Sequence, residues 1–151
     1  MFACEDKQDT ISSVPPCSLD DVYINEAHGE GDPEDWVEIY NAGSSECALA
    51  NFTMDDGFPT ADLIFGSINL MAGGYWLGEE EDSEGSSFTS GIGKSGDILY
   101  FCVPGATDET DCQVFEVGPT EGLTAWGYPN NDRSQSAGNL TESTPGSANT
   151  D

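Results

Sequence analysis

The apolar residues of this chain occur in short runs, which are separated by turn-forming glycine, proline, asparagine, aspartate and serine residues. Residues 36–41 alternate apolar and polar side chains, which is typical of a half-buried strand. The most hydrophobic run is 97–103, and residues 112–117 are its predicted strand partner. Helical periodicity does not persist for two full turns anywhere. The pattern therefore predicts an all-β domain, either a sandwich or a barrel.

Five further β-prone runs complete the predicted set: residues 22–26, 48–54, 63–65, 68–70 and 75–77. Residues 27–34 are predicted to form a loop, since they are rich in glycine and acidic side chains. The acidic run 79–84 is also predicted to be a loop, because a dense block of like charges cannot sit in a packed sheet. From residue 118 onward turn-forming residues dominate, and we assign no strand there.

The 151 residues have the length of one ordinary domain. With 36% hydrophobic residues the chain can bury a real core, so it is not of the disordered type. Residues 1–21 are polar and contain two consecutive prolines, so we predict a flexible N-terminal tether. Residues 22–149 are predicted to form a single sandwich domain.

The charge of the chain narrows the expected partners most. The chain has 29 Asp+Glu against 3 Lys+Arg, a formal net charge of -26. Such a field repels phosphate backbones and anionic membrane surfaces, so we expect neither nucleic acid nor membrane as a partner. Cationic partners remain, such as calcium, basic proteins or basic polysaccharides. The alternative is that the acidity only provides solubility or suits a salty environment.

Five cysteines suggest disulfide bonding. Cys102 and Cys112 flank a turn-rich segment with strand-like residues outside them, so we predict a disulfide that closes this hairpin. Cys17 and Cys47 would then pair, although four cysteines allow three connectivities and the sequence does not decide among them. The alternative is that all five cysteines are reduced and buried. Paired cysteines imply a secreted, periplasmic or surface location.

The fifth cysteine, Cys4, lies at the start of the chain. Residues 1–4 have no basic or long apolar lead, so no intact signal peptide is expected. One interpretation is that residues 2–4 end a bacterial lipoprotein signal in which Cys4 is lipidated. The alternative is a chain boundary beside a leftover thiol. No stretch reaches the ~18 apolar residues of a membrane span, so we expect no membrane insertion.

We predict no cofactor, and calcium is the one alternative to that. Hard cations take several oxygen ligands, and Glu30, Asp32 and Asp35 cluster in one predicted loop. Further acidic clusters occur at residues 79–84 and 108–111, but none follows the spacing of an EF-hand loop. The alternative to an ordered site is weak, diffuse attraction of cations.

Catalysis is not predicted. His28 is the only histidine, and no nucleophile motif accompanies it. A zinc site is poorly supported, because no cysteine pair has CxxC spacing. Pairs of carboxylates are expected by chance in so acidic a chain and do not indicate acid–base chemistry.

Several segments, taken in order, resemble a known family. Residues 22–26 (VYINE) followed by 35–41 (DWVEIYN) resemble the opening of the lamin tail domain family. Later segments are similar to that family in the same order: 49–56 (LANFTMDD), 70–75 (LMAGGY), 94–100 (KSGDILY) and 144–149 (TPGSAN). The resemblance implies an immunoglobulin-like β-sandwich that serves as an accessory module of secreted or surface proteins. It implies no catalytic residues. The chromatin role of nuclear lamins does not transfer, because this chain lacks a basic surface.

Three polar residues on the first two predicted strands stand out: Asn25, Glu26 and Glu38. Glu38 lies between Val37 and Ile39, so its side chain is predicted to face away from the core. Because buried polar groups need partners, we expect these side chains to bond backbone across the strand ends. The turn at residues 144–146 (TPG) is predicted to lock the last segment against the sheet.

The aromatic residues are predicted to be core fillers or to lie at its rim, the main ones being Trp36, Tyr40, Phe52, Tyr75, Trp76, Phe101 and Trp126. A carbohydrate-stacking tryptophan is the alternative. The sequence as a whole predicts a non-catalytic extracellular or surface module that mediates protein–protein interaction or self-assembly. Residues 1–21 could then add as a strand to the sheet edge of a neighbouring copy, with Ile11 and Val14 as apolar contacts. The alternative function is a calcium- or ligand-binding accessory domain of a secreted protein.

Overall fold

A computed structural model describes residues 13–29, 35–60, 62–80, 88–120, 122 and 124–150. Within these ranges the regular structure consists of β-strands and two short 3-10 turns, so the predicted all-β sandwich is confirmed. No helix in the described ranges is long and apolar enough to cross a membrane. Cys4, Ile11, Glu30 and Asp32 lie outside the described residues.

Eleven strands are present in the described part of the chain: β1 (Val22–His28), β2 (Trp36–Asn41), β3 (Cys47–Ala48), β4 (Thr53–Asp55), β5 (Leu63–Ile64), β6 (Asn69–Leu70), β7 (Tyr75–Glu79), β8 (Asp97–Cys102), β9 (Cys112–Val117), β10 (Trp126–Gly127) and β11 (Gly138–Asn139). One sheet has the order β11-β10-β1-β2-β7 and a second has the order β5-β4-β8-β9, while β3 and β6 form a separate pair. Neighbouring strands are antiparallel throughout.

The hydrophobic core lies between the two larger sheets. Strand β8 turns Leu99 and Phe101 inward, since successive side chains of a strand point to opposite faces. Phe101 stacks on Phe52 with ring centroids 5.3 Å apart, and Phe65 packs edge-on against Trp76 at 4.8 Å. Full burial of one such side chain stabilises the fold by roughly 1.5–3 kcal/mol, so these rings hold the sheets together.

Both predicted disulfides are present. The Cys102–Cys112 bond joins β8 to β9 at the end of their hairpin. The Cys17–Cys47 bond joins the N-terminal segment to β3. Two disulfides indicate an oxidising, extracellular-type environment.

The N-terminal segment corrects the predicted domain boundary. Cys17 is only 7% exposed, and its backbone N–H donates to the Ala48 carbonyl at 2.9 Å. The Ala48 N–H in turn donates to the Pro15 carbonyl at 2.8 Å. Residues 13–21 are therefore joined to the domain and are not a tether, because a disulfide and a strand-like pairing hold them. Residues 1–12 of the predicted tether lie outside the described residues.

Three strand predictions also need correction. Strand β1 continues through Ala27 and His28, which were predicted to begin a loop. The predicted run 48–54 is divided between β3 and β4. Strands β10 and β11 lie in the turn-rich stretch where no strand was assigned. Each has two residues, which is too short to produce a period-two pattern.

Candidate functional site

Glu26 and Glu38 form a buried pair of carboxylates. They lie opposite each other in the β1–β2 register, just after a bulge at Asn25. Val37 and Ile39 belong to the core, so Glu38 points to the other face of the sheet, as predicted. Both glutamates are nevertheless 0% exposed, because the C-terminal segment 144–149 covers that face. The burial of these two charges was not predicted.

The C-terminal turn supplies most of the hydrogen-bond donors to this pair. Thr144 donates its backbone N–H to Glu26 Oε1 at 2.9 Å and its hydroxyl to Glu26 Oε2 at 3.0 Å. The Gly146 N–H donates to Glu38 Oε2 at 2.6 Å, and Asn25 Nδ2 donates to Glu38 Oε1 at 2.8 Å. The turn therefore locks the last segment, as predicted, and both glutamates bind its backbone N–H groups. The predicted bonding to backbone across the strand ends is not found among the described residues, since the Asn25 side chain donates to the side chains of Glu38 and Asn131.

Asn131 and Asn149 extend the same network. The Asn149 N–H donates to Asn131 Oδ1 at 2.8 Å, and Asn149 Nδ2 donates to the Tyr128 carbonyl at 2.9 Å. Asn131 Nδ2 donates to the Tyr75 hydroxyl at 2.7 Å. Asn131 has a positive φ of 57°, a conformation that asparagine tolerates better than most residues. Asn131 was not predicted as a site residue, although the Asn130-Asn131 pair is a recognisable turn marker.

Burial dominates the electrostatics of the pair. It raises the pKa of Glu38 to about 7, and the nearby charge of Glu26 adds to the rise, while the bonds from Asn25 and Gly146 oppose it. Burial likewise raises the pKa of Glu26 against the opposing bonds from Thr144. Carboxyls with raised pKa can serve as general acids. Here their oxygens are turned to the protein's own donors, which fits a structural role.

His28 is also buried, and its contacts are with Thr124 and Trp36. Its Nδ1 lies 2.6 Å from the Thr124 carbonyl, so Nδ1 carries the proton and donates it. Its ring stacks on Trp36 with centroids 6.1 Å apart. Nε2 has no hydrogen-bond partner among the described residues.

The acidic residues of the calcium hypothesis are placed separately. Asp35 is buried, and its Oδ2 accepts the Ile92 N–H at 2.7 Å. Asp108 Oδ1 accepts the Thr110 N–H at 2.8 Å as the cap of a 3-10 turn. Among the described residues no group of three His, Cys, Asp or Glu side chains is arranged to hold a metal ion. Because Glu30 and Asp32 lie outside those residues, the calcium site stays a prediction.

Strand β9 is one of the two edge strands of its sheet, since it pairs only with β8. At Gln113 it is tied to the other sheet: Nε2 donates to the Ile24 carbonyl at 3.0 Å, and Oε1 accepts the Ile24 N–H at 2.6 Å. Beyond Gln113 a groove of about 600 Å³ separates β9 from the segment after β10. We call it the β9 groove, and its main lining residues are Phe115, Trp126, Tyr128, Arg133 and Ser136.

Aromatic rings form the floor of the β9 groove. Tyr128 packs edge-on against Phe115 at 5.5 Å. Trp126 lies so close to Gly118 that a Cβ there would be 2.4 Å from the indole ring. The guanidinium carbon of Arg133 lies 4.9 Å from the centroid of the Tyr23 ring, so the lining of the groove includes a positioned cation. The groove therefore combines an unpaired strand edge with aromatic surface.

The outer face of the four-stranded sheet continues from the same strand. It is defined by the outward side chains of Ile64, Ile98, Tyr100, Val114 and Glu116. Ile64 is 62% exposed, Val114 45% and Ile98 41%, so apolar surface is open to solvent here. Beside it a hollow of about 500 Å³ is lined by Tyr100 and by Asp56, Asp97 and Glu116.

Comparison of the chain with protein-family models, with characterised proteins and with solved structures finds no match. The resemblance to lamin tail domains accordingly stays a prediction. What the chain does must be argued from its own geometry.

Proposed function

We propose that this chain is a non-catalytic extracellular module that binds another protein through the β9 edge and the β9 groove. The observation that carries the proposal is the open strand beside an aromatic-lined groove. We further propose that the sandwich is immunoglobulin-like and of the lamin tail type, and that the protein is secreted or displayed on a surface.

An open edge is a recognised means of binding peptides. The outer side of β9 presents backbone N–H and C=O groups that β8 does not pair, and an extended segment can add to them as a further strand. Backbone bonds then give affinity, while neighbouring pockets select side chains. The β9 groove lies where such a segment would place its side chains.

The lining of the groove supports the same function. Tryptophan, tyrosine and arginine are the residues most often found to dominate binding energy at protein interfaces. Trp126, Tyr128 and Arg133 supply one of each. Trp126 and Tyr128 are partly exposed, so part of each ring is available to a partner.

Charge favours a different protein over a second copy. Each copy has a formal net charge of -26, so two copies repel each other before they meet. Salt screens this repulsion, with a Debye length of about 8 Å at physiological ionic strength. Self-assembly through the β9 edge is therefore expected to be weak and to strengthen with salt.

A displayed library of random peptides, panned on the purified domain, tests the proposal. Peptides should be enriched that lose binding to Ser136→Trp, because a large ring at this exposed lining position fills the β9 groove. The matched control is Glu142→Trp, which adds the same ring at an exposed residue that does not line the groove. Peptides that bind Ser136→Trp as well as the wild type would exclude the groove. Failure to enrich any peptide would contradict the proposal.

A further inference from the structure

The outer face extends the proposed binding site beyond the groove. Tyr100 and Val114 are opposite each other across the β8–β9 register, as are Ile98 and Glu116. A segment added to β9 would therefore lie directly beside Val114 and Glu116, with Tyr100 and Ile98 one strand further away. Of the five large hydrophobic side chains exposed in the described residues, Ile64, Ile98 and Val114 lie on this face. Such a concentration of apolar surface is typical of an interaction site.

Carboxylates border this apolar surface on one side. Asp56, Asp97 and Glu116 line the hollow beside Tyr100. Desolvation raises the pKa of Asp56, and a hydrogen bond with Asp55 and the charges of Asp55, Asp97 and Asp62 add to the rise. Like charges are thus crowded together in the free protein. A cation placed among them would relieve that repulsion and could also lie over the Tyr100 ring.

The chain does not place a cation of its own in the hollow, as far as its described lining residues show. Arg133 is engaged with Tyr23 and with the Leu19 carbonyl, which its Nη1 contacts. The whole sequence contains only 3 Lys+Arg, so a second copy is a poor source of basic side chains. The positive charge is better supplied by another protein.

We infer that the protein partner contributes an extended basic segment, in which lysine or arginine residues alternate with apolar ones, that adds to β9 beside the part of the outer face formed by β8 and β9. The inference rests on the proposed function and names the chemistry of its partner. It stands on the apolar face and the open edge together with the charge, and not on the acidic residues alone. Alternation matters because a strand sends successive side chains to opposite faces, so the basic residues would lie over the outer face beside Glu116 and the apolar ones would turn toward the β9 groove.

Calorimetric titration of the domain with three synthetic ten-residue peptides tests the inference. One peptide alternates lysine and valine, the second replaces each lysine with glutamate, and the third has the first composition with its valines in one block. The alternating basic peptide should bind with 1:1 stoichiometry. Its affinity should exceed that of each of the other two peptides at least tenfold and should fall as salt is added.

Matched variants separate a local site from general attraction by an acidic protein. Asp56→Asn combined with Glu116→Gln should weaken the basic peptide about fivefold, since exposed ion pairs contribute modestly. Glu109→Gln combined with Glu142→Gln removes the same charge elsewhere and should change the affinity less than twofold. Equal losses in the two double variants would show diffuse attraction and overturn the inference.

Two further outcomes keep the inference distinct from the proposed function. If Ser136→Trp abolishes the binding of the library peptides but those peptides carry no basic residues, the proposed function stands and the inference of a basic partner is wrong. If one calcium ion binds stoichiometrically and is lost in the Asp56→Asn, Glu116→Gln variant, the hollow is a metal site and the inference is overturned. Binding of the alternating peptide to the wild type, with loss in that variant alone, supports it.

Discussion

The molecule contains two groups of carboxylates that the sequence does not distinguish. Glu26 and Glu38 are 0% exposed and accept hydrogen bonds from four donors on Asn25, Thr144 and Gly146. By contrast, the hollow beside the outer face is open, and its carboxylates are crowded by one another. The first group holds the last segment of the chain in place. In the second group Asp56 and Glu116 are exposed beside apolar surface, while Asp97 is half-buried and accepts the Gly93 and Ile98 N–H groups at 2.9 and 2.8 Å.

The difference shows that burial decides what an acidic residue does in so acidic a protein. A buried carboxylate is stable only when donors replace the lost water, which fixes the position of whatever supplies those donors. An exposed carboxylate keeps its water and stabilises the fold little, so it is free to meet a partner. Four experiments test this distinction.

The largest effect is expected for Glu38→Ala. Removal of the side chain leaves the Gly146 N–H without its acceptor and removes one of the two acceptors of Asn25 Nδ2, which also donates to Asn131 Oδ1 at 3.1 Å. We expect a loss of about 3 kcal/mol in the free energy of unfolding, measured by urea denaturation. Glu116→Ala, at an exposed position, should change it by less than about 0.5 kcal/mol. A loss below about 1 kcal/mol for Glu38→Ala would mean that the buried pair does not hold the C-terminal turn.

Stability should fall as the pH rises from 5 to 8. The pKa of Glu38 is about 7 in the folded protein, above its usual value of 4.5, so the folded state binds this proton more tightly. The stability from Glu38 is therefore fully present below pH 4.5 and is lost as the pH passes through 7. A shift of one pKa unit corresponds to about 1.36 kcal/mol. We therefore expect the free energy of unfolding to fall by about 2 kcal/mol between pH 5 and 8. The raised pKa of Glu26 acts in the same direction.

Glu38→Gln tests this contribution, because the variant lacks only that one titrating group. Denaturation at several pH values should show a clearly smaller fall in stability for the variant than for the wild type. Parallel curves for the two proteins, or a wild-type stability that rises with pH, would assign the pH dependence to other residues.

A smaller effect is expected for Thr144→Val. The hydroxyl donates to Glu26 Oε2 and also lies 3.2 Å from Asn149 Oδ1, whereas the backbone bond to Glu26 is kept in the variant. One lost hydrogen bond to a charged group predicts a destabilisation of about 1–2 kcal/mol by thermal or urea denaturation. Thr107→Val, at an exposed threonine, is the matched control and should be nearly neutral. Equal effects would indicate that the hydroxyl contributes nothing specific.

The local pattern predicted much of the sandwich. Strands β2, β8 and β9 follow from the alternation or hydrophobicity of their own residues. The hairpin disulfide follows from the spacing of Cys102 and Cys112. The predicted tether, residues 1–21, was wrong at its C-terminal boundary. Its polar composition is typical of a linker, but the predicted Cys17–Cys47 bond requires residue 17 to be anchored.

The candidate sites were harder to predict, since they depend on contacts between distant parts of the chain. That Glu38 faces away from the core follows from its neighbours Val37 and Ile39. That it is buried depends on residue 146, which lies 108 positions later in the sequence. The β9 groove likewise depends on how Gln113 joins β9 to β1, 89 positions away. Local periodicity contains no information about such long-range contacts.

The smallest effect, and the most direct test of the second group, is expected for Asp56→Asn. Desolvation raises the pKa of Asp56, and a hydrogen bond with Asp55 and the charges of Asp55, Asp97 and Asp62 add to the rise. Neutralising it should therefore stabilise the fold slightly, by less than about 0.5 kcal/mol, because solvent screens exposed charges. The gain should vanish in 0.5 M salt, where the Debye length is only about 4 Å. Glu142→Gln, which removes an exposed charge elsewhere, is the control in the same urea titrations. If Asp56→Asn instead destabilises the protein by more than about 1 kcal/mol, Asp56 is structural like Glu38, and the division into holding and partner-facing carboxylates fails.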